Sequence, residues 1–191
     1  MNRHAVQLIS RGAITKIGNM LYDYGNSVWL ASMGTIGKTV LGIYQISELV
    51  TGILVNPFGG VISDRFSRRK ILMTTDLVCG LLCLAISFIR NDRWMIAALI
   101  VANIVQAIAF GFSRPANKAI ITEVVEKEEI VTYNAHLELV LQVVSVSSPV
   151  FSFLVLQFAS LHATLLLDAL TFFIAFVLVA FLPKEVAKVQ E

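Results

Sequence analysis

Six apolar runs divide the chain, at about 13–34, 40–62, 71–90, 94–113, 134–158 and 163–182. About 20 apolar residues rising 1.5 Å each cross a hydrocarbon core of roughly 30 Å, so each run predicts one transmembrane helix. The polar residues inside these runs are not scattered. In the first run Asn19, Asp23 and Asn26 recur at i, i+4 and i+7 with Tyr22 beside them, which places them on one stripe of a helix. The fifth repeats the pattern with Asn134, Glu138, Gln142, Ser145 and Ser148; the second offers Gln45, Glu48 and Thr51, and the fourth Asn103 and Gln106. The third and sixth have apolar middles, with Asp76 and Asp168 nearer their ends. Helices one, two, four and five are therefore expected to face something polar, and three and six to face lipid. The fold class that follows is all-α: a polytopic membrane bundle over 1–182, with 183–191 beginning a linker.

Composition agrees. Of 191 residues, 57% are hydrophobic and 15% charged, against about 25% charged in soluble domains, and the mean hydropathy is +0.77. The net charge of +2 says little, because orientation depends on which loops carry Lys and Arg. With a cytoplasmic N-terminus, alternate loops hold twelve Lys and Arg on one side and three, Lys38, Arg90 and Arg93, on the other. That asymmetry predicts both termini in the cytoplasm and a multi-pass protein of the cell membrane. The start, MNRHAVQLISRGAITKIGNM, is polar and basic and does not read as a cleavable leader. Cys79 and Cys83 lie one turn apart in an apolar run with no second pair to complete a metal site, so they read as packing residues.

Depth decides which acids matter. Asp23 and Glu48 fall roughly 12–15 Å into the membrane at 1.5 Å per residue, where an ionised carboxylate costs at least about 2.5 kcal/mol unless it meets water or a partner. The span boundaries leave no Lys or Arg at that depth. Both acids must face a water-filled cavity, pair with another polypeptide, hold a proton, or serve as neutral interhelical glue. Glu138 is nearer the interface, where ionisation is cheap and the start of a helix favours acids. Asp23, Glu48 and Glu138 are the proton-coupling candidates, and Asn19, Asn26, Asn103, Gln106 and Gln142 the candidates for lining a cavity. His136 lies about 200° around the helix from Glu138, so the two do not converge. No Ser-His-Asp, HExxH or phosphate-cradling glycine loop is present, so the sequence points to no enzyme, no cofactor, no metal and no nucleic-acid partner.

Between the second and third runs stands GGVISDRFSRRK, in which Gly60, Asp64, Arg65, Arg68, Arg69 and Leu72 are spaced as a glycine, an Asp-Arg pair and a basic pair. Physically, such a turn uses a glycine for close helix approach, an acid near a facing helix start, and arginines able to bond carboxylates bidentately. It resembles the signature loop of the major facilitator superfamily, with Ser67 where a glycine is common. The stretch SRPANKAIITEVVEKEEIVTYNAHLELV, through Pro115-Ala116, Glu128-Glu129 and Asn134-Ala135, is similar to the macrolide and drug-efflux branch, as is Asp168-Ala169-Leu170-Thr171-Phe172. The segment 116–131 sets Ile120, Ile121, Val124, Val125 and Val131 among charges and predicts an amphipathic interfacial helix. Two positions depart from the branch: Asn19 stands where many members have an acid, and Ser148-Pro149 lacks neighbouring glycines.

The resemblance covers one half of such a transporter. It implies two inverted three-helix repeats that bind substrate against a second half, the chain being a fragment of a full transporter, one part of a split transporter that assembles with a second polypeptide, or a half that pairs with its own copy. It further implies a protein partnered by the lipid bilayer, protons and a small amphipathic, drug-like substrate, which it would export by proton-coupled alternating access, with the loop at Asp64 to Arg69 as a latch. Import of a solute on the same scaffold, or a non-transporting membrane interaction protein, are the alternatives.

Overall fold

The computed structural model describes residues 3–147, 150–151, 153–154, 157 and 160–182. The chain forms helices α1 (Arg3–Ser32), α2 (Gly34–Arg65), α3 (Arg68–Ile86), α4 (Asp92–Val124), α5 (Ile130–Val146) and α6 (Leu161–Ala180), with a 3-10 turn at Lys127–Glu129. Asn91 caps α4 by accepting from the N–H groups of Arg93 and Trp94, and Ser160 caps α6 by accepting from that of Ala163. The expected linker at 183–191 and the Ser148-Pro149 pair lie outside the described residues.

Two helices run further than their apolar stretches. α1 starts at Arg3 rather than near 13 because Ala5, Leu8 and Ile9, at helical spacing, are buried beside Leu72, Tyr133 and Val179. α4 passes through Pro115 and continues to Val124. The expected separate interfacial helix over 116–131 is therefore corrected: 116–124 belong to α4, and Val125 is extended. The reason is packing, since Ala116, Ile120, Ile121 and Val125 turn their apolar face into that same cluster instead of towards headgroups.

α2 lies on α4, α4 on α3, α3 on α6, and α6 on α1, which also touches α5 and α2. α6 is thus wedged between α1 and α3, where Leu165, Ala169 and Phe172 meet Tyr22, Cys79 and Cys83 in a second cluster. The lipid-facing expectation for α3 and α6 needs revising face by face. Leu77, Val78 and Leu81 on α3 and Leu166, Leu167 and Leu170 on α6 are exposed, but Asp76 and Asp168 point the other way and are buried. On length and composition alone α2, α4 and α6 could cross a membrane. By that measure α1 and α3 do not qualify, and α5 has 17 residues.

The crossing of α2 over α4 is set by backbone chemistry. Pro115 has no N–H, so the carbonyl of Gly111 loses its helical partner. Gly59 lies directly on that carbonyl, leaving no room for a Cβ. The close approach expected of Gly60 is made by Gly59 instead; Gly60 faces open space.

Candidate transport cavity

A cavity of about 400 Å³ opens where α1, α2, α4 and α5 converge. α1 contributes Lys16, Asn19, Met20, Asp23 and Tyr24, successive turns of a single stripe. α2 adds Glu48, α4 adds Asn103, Gln106, Phe110 and Arg114, and α5 adds Ser145. A second compartment of about 350 Å³ runs between α2 and α4, past Gln45, Gly52 and Asn56, and shares Glu48, Phe110 and Arg114 with the first.

Asp23 and Glu48 are both exposed. Among the described residues, ion pairs form between Arg11 and Asp76 and between Arg68 and Glu123, so the charges of Lys16, Asp23, Glu48 and Arg114 face the cavity unpaired. The Arg114 guanidinium lies 5.8 Å from the centroid of the Phe110 ring, within cation–π range. Asn103 is fixed by donating to the Tyr44 carbonyl at 2.8 Å, and Asn19 Oδ1 is buried without a partner among the described residues. The surroundings combine two carboxylates, two cations, amides and an aromatic ring, able to hold a solute and to exchange a proton with it or with water.

Other expected residues lie elsewhere. Asn26 is fully buried behind the cavity and donates to the Tyr44 hydroxyl at 3.1 Å. Glu138 and Gln142 line a separate groove along α5 with Leu139, Val143 and Val146. At the α2–α3 turn, Asp64 and Arg65 are exposed. Arg68 pairs with Glu123 near the end of α4, and Arg69 donates to the carbonyls of Val179 and Ala180 at the end of α6. The Val179 carbonyl also accepts from the N–H of Leu182, so the guanidinium adds to the capping of this last turn, where a cation suits the helix dipole.

With the turn and cavity placed, comparison with known proteins decides the family: residues 12–191 match the model of the Major Facilitator Superfamily. The chain belongs to that superfamily. This facilitator chain is also similar to the arabinose-proton symporter of Bacillus subtilis (strain 168), 28% identical over 113 residues, which is 56% of this chain and 24% of the relative. The match thus spans about a quarter of that relative's length. Membership makes the protein a multi-pass membrane protein of a transporter family, and its helical bundle fits that assignment.

Two cavity residues of this facilitator escaped sequence reasoning. Lys16 lies inside the first apolar run near its start and Arg114 just past the end of the fourth, yet α1 and α4 extend beyond those runs and carry both into the cavity wall. The signal was available in the amphipathic spacing of Ala5, Leu8 and Ile9 and of Ala116, Ile120 and Ile121.

Proposed function

We propose that this chain is the amino-terminal, cavity-forming half of a proton-coupled secondary transporter that exports small amphipathic compounds by alternating access. One observation carries the reading: Asp23 from α1 and Glu48 from α2 open onto one cavity, accompanied by Lys16 and Arg114, which form no ion pair among the described residues. A carboxyl at the wall of a water-accessible cavity can gain and lose a proton at modest cost, which a carboxyl in lipid cannot. Asp23 then exchanges the coupled proton, with Glu48 beside it, and Asn19, Asn103 and Gln106 orient the solute. Met20, Tyr24 and Phe110 give apolar surface to an amphipathic substrate, with Arg114 at its edge. Glu138 and Gln142, on the α5 groove, would act only once a carboxy-terminal half covers that face. Asp64 latches the cytoplasmic side when the cavity opens outward, on a base held by Arg68 and Arg69. The excess of Lys and Arg in alternate loops supports a cell-membrane protein with both termini in the cytoplasm.

The test is dye transport by the chain with its carboxy-terminal half, reconstituted in liposomes under an imposed pH gradient. Gradient-driven efflux should stop in Asp23→Asn while gradient-independent exchange of bound dye persists. Unchanged gradient-driven efflux would remove Asp23 from the coupling step. A second reading is favoured by the symporter relative and by the amides of Asn19, Asn103 and Gln106: proton-coupled import of a small polar solute. Accumulation rather than loss of labelled solute down the same gradient would select it.

A further inference from the structure

Behind the cavity sits a second carboxyl that solvent does not reach. Asp168, seven residues into α6, has 0% exposure. Cys83 Sγ lies 3.4 Å from its Oδ2 and Gln106 Nε2 lies 3.5 Å from the same oxygen, while Thr171 Oγ1 is 3.5 Å from Oδ1. Gly18 of α1 closes the remaining side, where a Cβ would collide with Oδ1 and with Thr171. The titratable groups facing it are Tyr22 and Asp23 on α1 and Cys79 and Cys83 on α3. From α4 it meets the uncharged Gln106, and among the described residues no cation pairs with it.

Asp76 supplies the contrast within the same bundle. It is equally enclosed, but Arg11 neutralises it through three hydrogen bonds. A buried carboxylate with neither water nor a cation is far costlier than its neutral acid, because weak thiol and amide donors do not replace lost hydration. The resting form of Asp168 is therefore the acid. Gln106 connects it to the cavity: its side chain lines the cavity wall, while Nε2 reaches Asp168 Oδ2 and lies 3.1 Å from Cys83 Sγ.

We propose that Asp168 is a second proton-carrying carboxyl of this facilitator, emptied and reloaded from the cavity past Gln106. The proposal rests on the proton-coupled reading above and adds a group that reading does not use. In the releasing step the Asp168 O–H bond breaks and the proton passes to cavity water as the Gln106 amide moves aside. The carboxylate left behind accepts from the Cys83 thiol, the Gln106 amide and the Thr171 hydroxyl until a proton returns by the same route. Asp23 governs the timing, since two nearby carboxylates resist being ionised together and Asp168 releases most readily while Asp23 holds a proton.

Infrared spectroscopy of the full chain in lipid nanodiscs, with isotope-labelled aspartate, reads the proton directly and without transport. The difference between wild type and Asp168→Asn at neutral pH should contain the carbonyl stretch of a protonated carboxyl, shifted by the label and still present in Asp76→Asn. That band should disappear reversibly when the pH is raised to alkaline values, and several-fold more slowly in Gln106→Leu. A spectrum unchanged by Asp168→Asn, or a band that ignores pH, overturns the proposal, and unaltered kinetics in Gln106→Leu overturn the route. If Asp168→Asn does not fold, Asp168→Glu must show the band at a displaced position, and its absence is equally decisive. Failure of the Asp23 dye test leaves this spectrum standing, so the two ideas fail separately.

Discussion

The Arg11 guanidinium grips the Asp76 carboxylate from across the bundle, with Nη2 2.8 Å from Oδ1 and Nε 3.1 Å from Oδ2. Its remaining nitrogen, Nη1, donates to Asn117 Oδ1 at 3.2 Å, so one side chain joins α1, α3 and α4. Both partners of the pair are buried. Removing either strands the other's charge, which costs about 3–5 kcal/mol, whereas replacing both by apolar residues is often close to neutral. Arg11→Met and Asp76→Leu should each lower resistance to unfolding by denaturing detergent, and the double variant should recover most of the loss. Purely additive losses would show that the pair is not a coupled unit.

The neighbouring glycines Gly59 and Gly60 in the last third of α2 should behave in opposite ways. Gly59→Ala forces a methyl group onto the Gly111 carbonyl and should cost about 1–3 kcal/mol, in the range of overpacked cores. Gly60→Ala meets open space and should change stability by no more than about 0.5 kcal/mol. Thermal unfolding in one detergent compares them, and equal losses would contradict the crossing geometry.

Cys79 and Cys83 are buried and should stay silent to a membrane-impermeant maleimide until the protein is unfolded. They therefore need not be removed before surface thiols are introduced. Phe66→Cys and Arg90→Cys occupy exposed positions at opposite ends of α3 and should label from opposite sides of sealed vesicles. Labelling of both from one side would refute a membrane-crossing α3.

Arg69→Gln removes the cation that caps the last carbonyls of α6. Hydrogen bonds to charged groups contribute about 1.5–3 kcal/mol. Amide hydrogen exchange should accelerate at the end of α6 and remain unchanged in the middle of α2. No local change would mean that the guanidinium does not secure that terminus.

The sequence made the helical class, the location of the turn and the cavity side of α1 legible, because each rests on local pattern: apolar length, loop charge and helical spacing. Asn26 shows where such a pattern stops. It shares the stripe of Asn19 and Asp23, but α1 leans on α2 further along, so the face that lines a cavity at Asn19 is an interface at Asn26, sealed by Tyr44. Arg114 was hidden by a different limit. A charged residue ends an apolar run on paper, while in three dimensions a helix continues through it when its far side has a core to join. Asp168 was hidden by topology, because nothing local announces that Cys83 and Gln106, 85 and 62 residues earlier, will meet its carboxyl.

The place of α6 between α1 and α3 bears on how the molecule is made. Thr164, Asp168 and Thr171 fill the spaces left by Gly25 and Gly18, and Phe172 closes over the cysteines. These spaces stay empty while the ribosome is still producing the preceding 160 residues. The closing of α1 onto α3 through these residues therefore waits for α6, which arrives as a late keystone. A nascent chain stalled before Leu161 should be recognised by membrane quality control as unfinished.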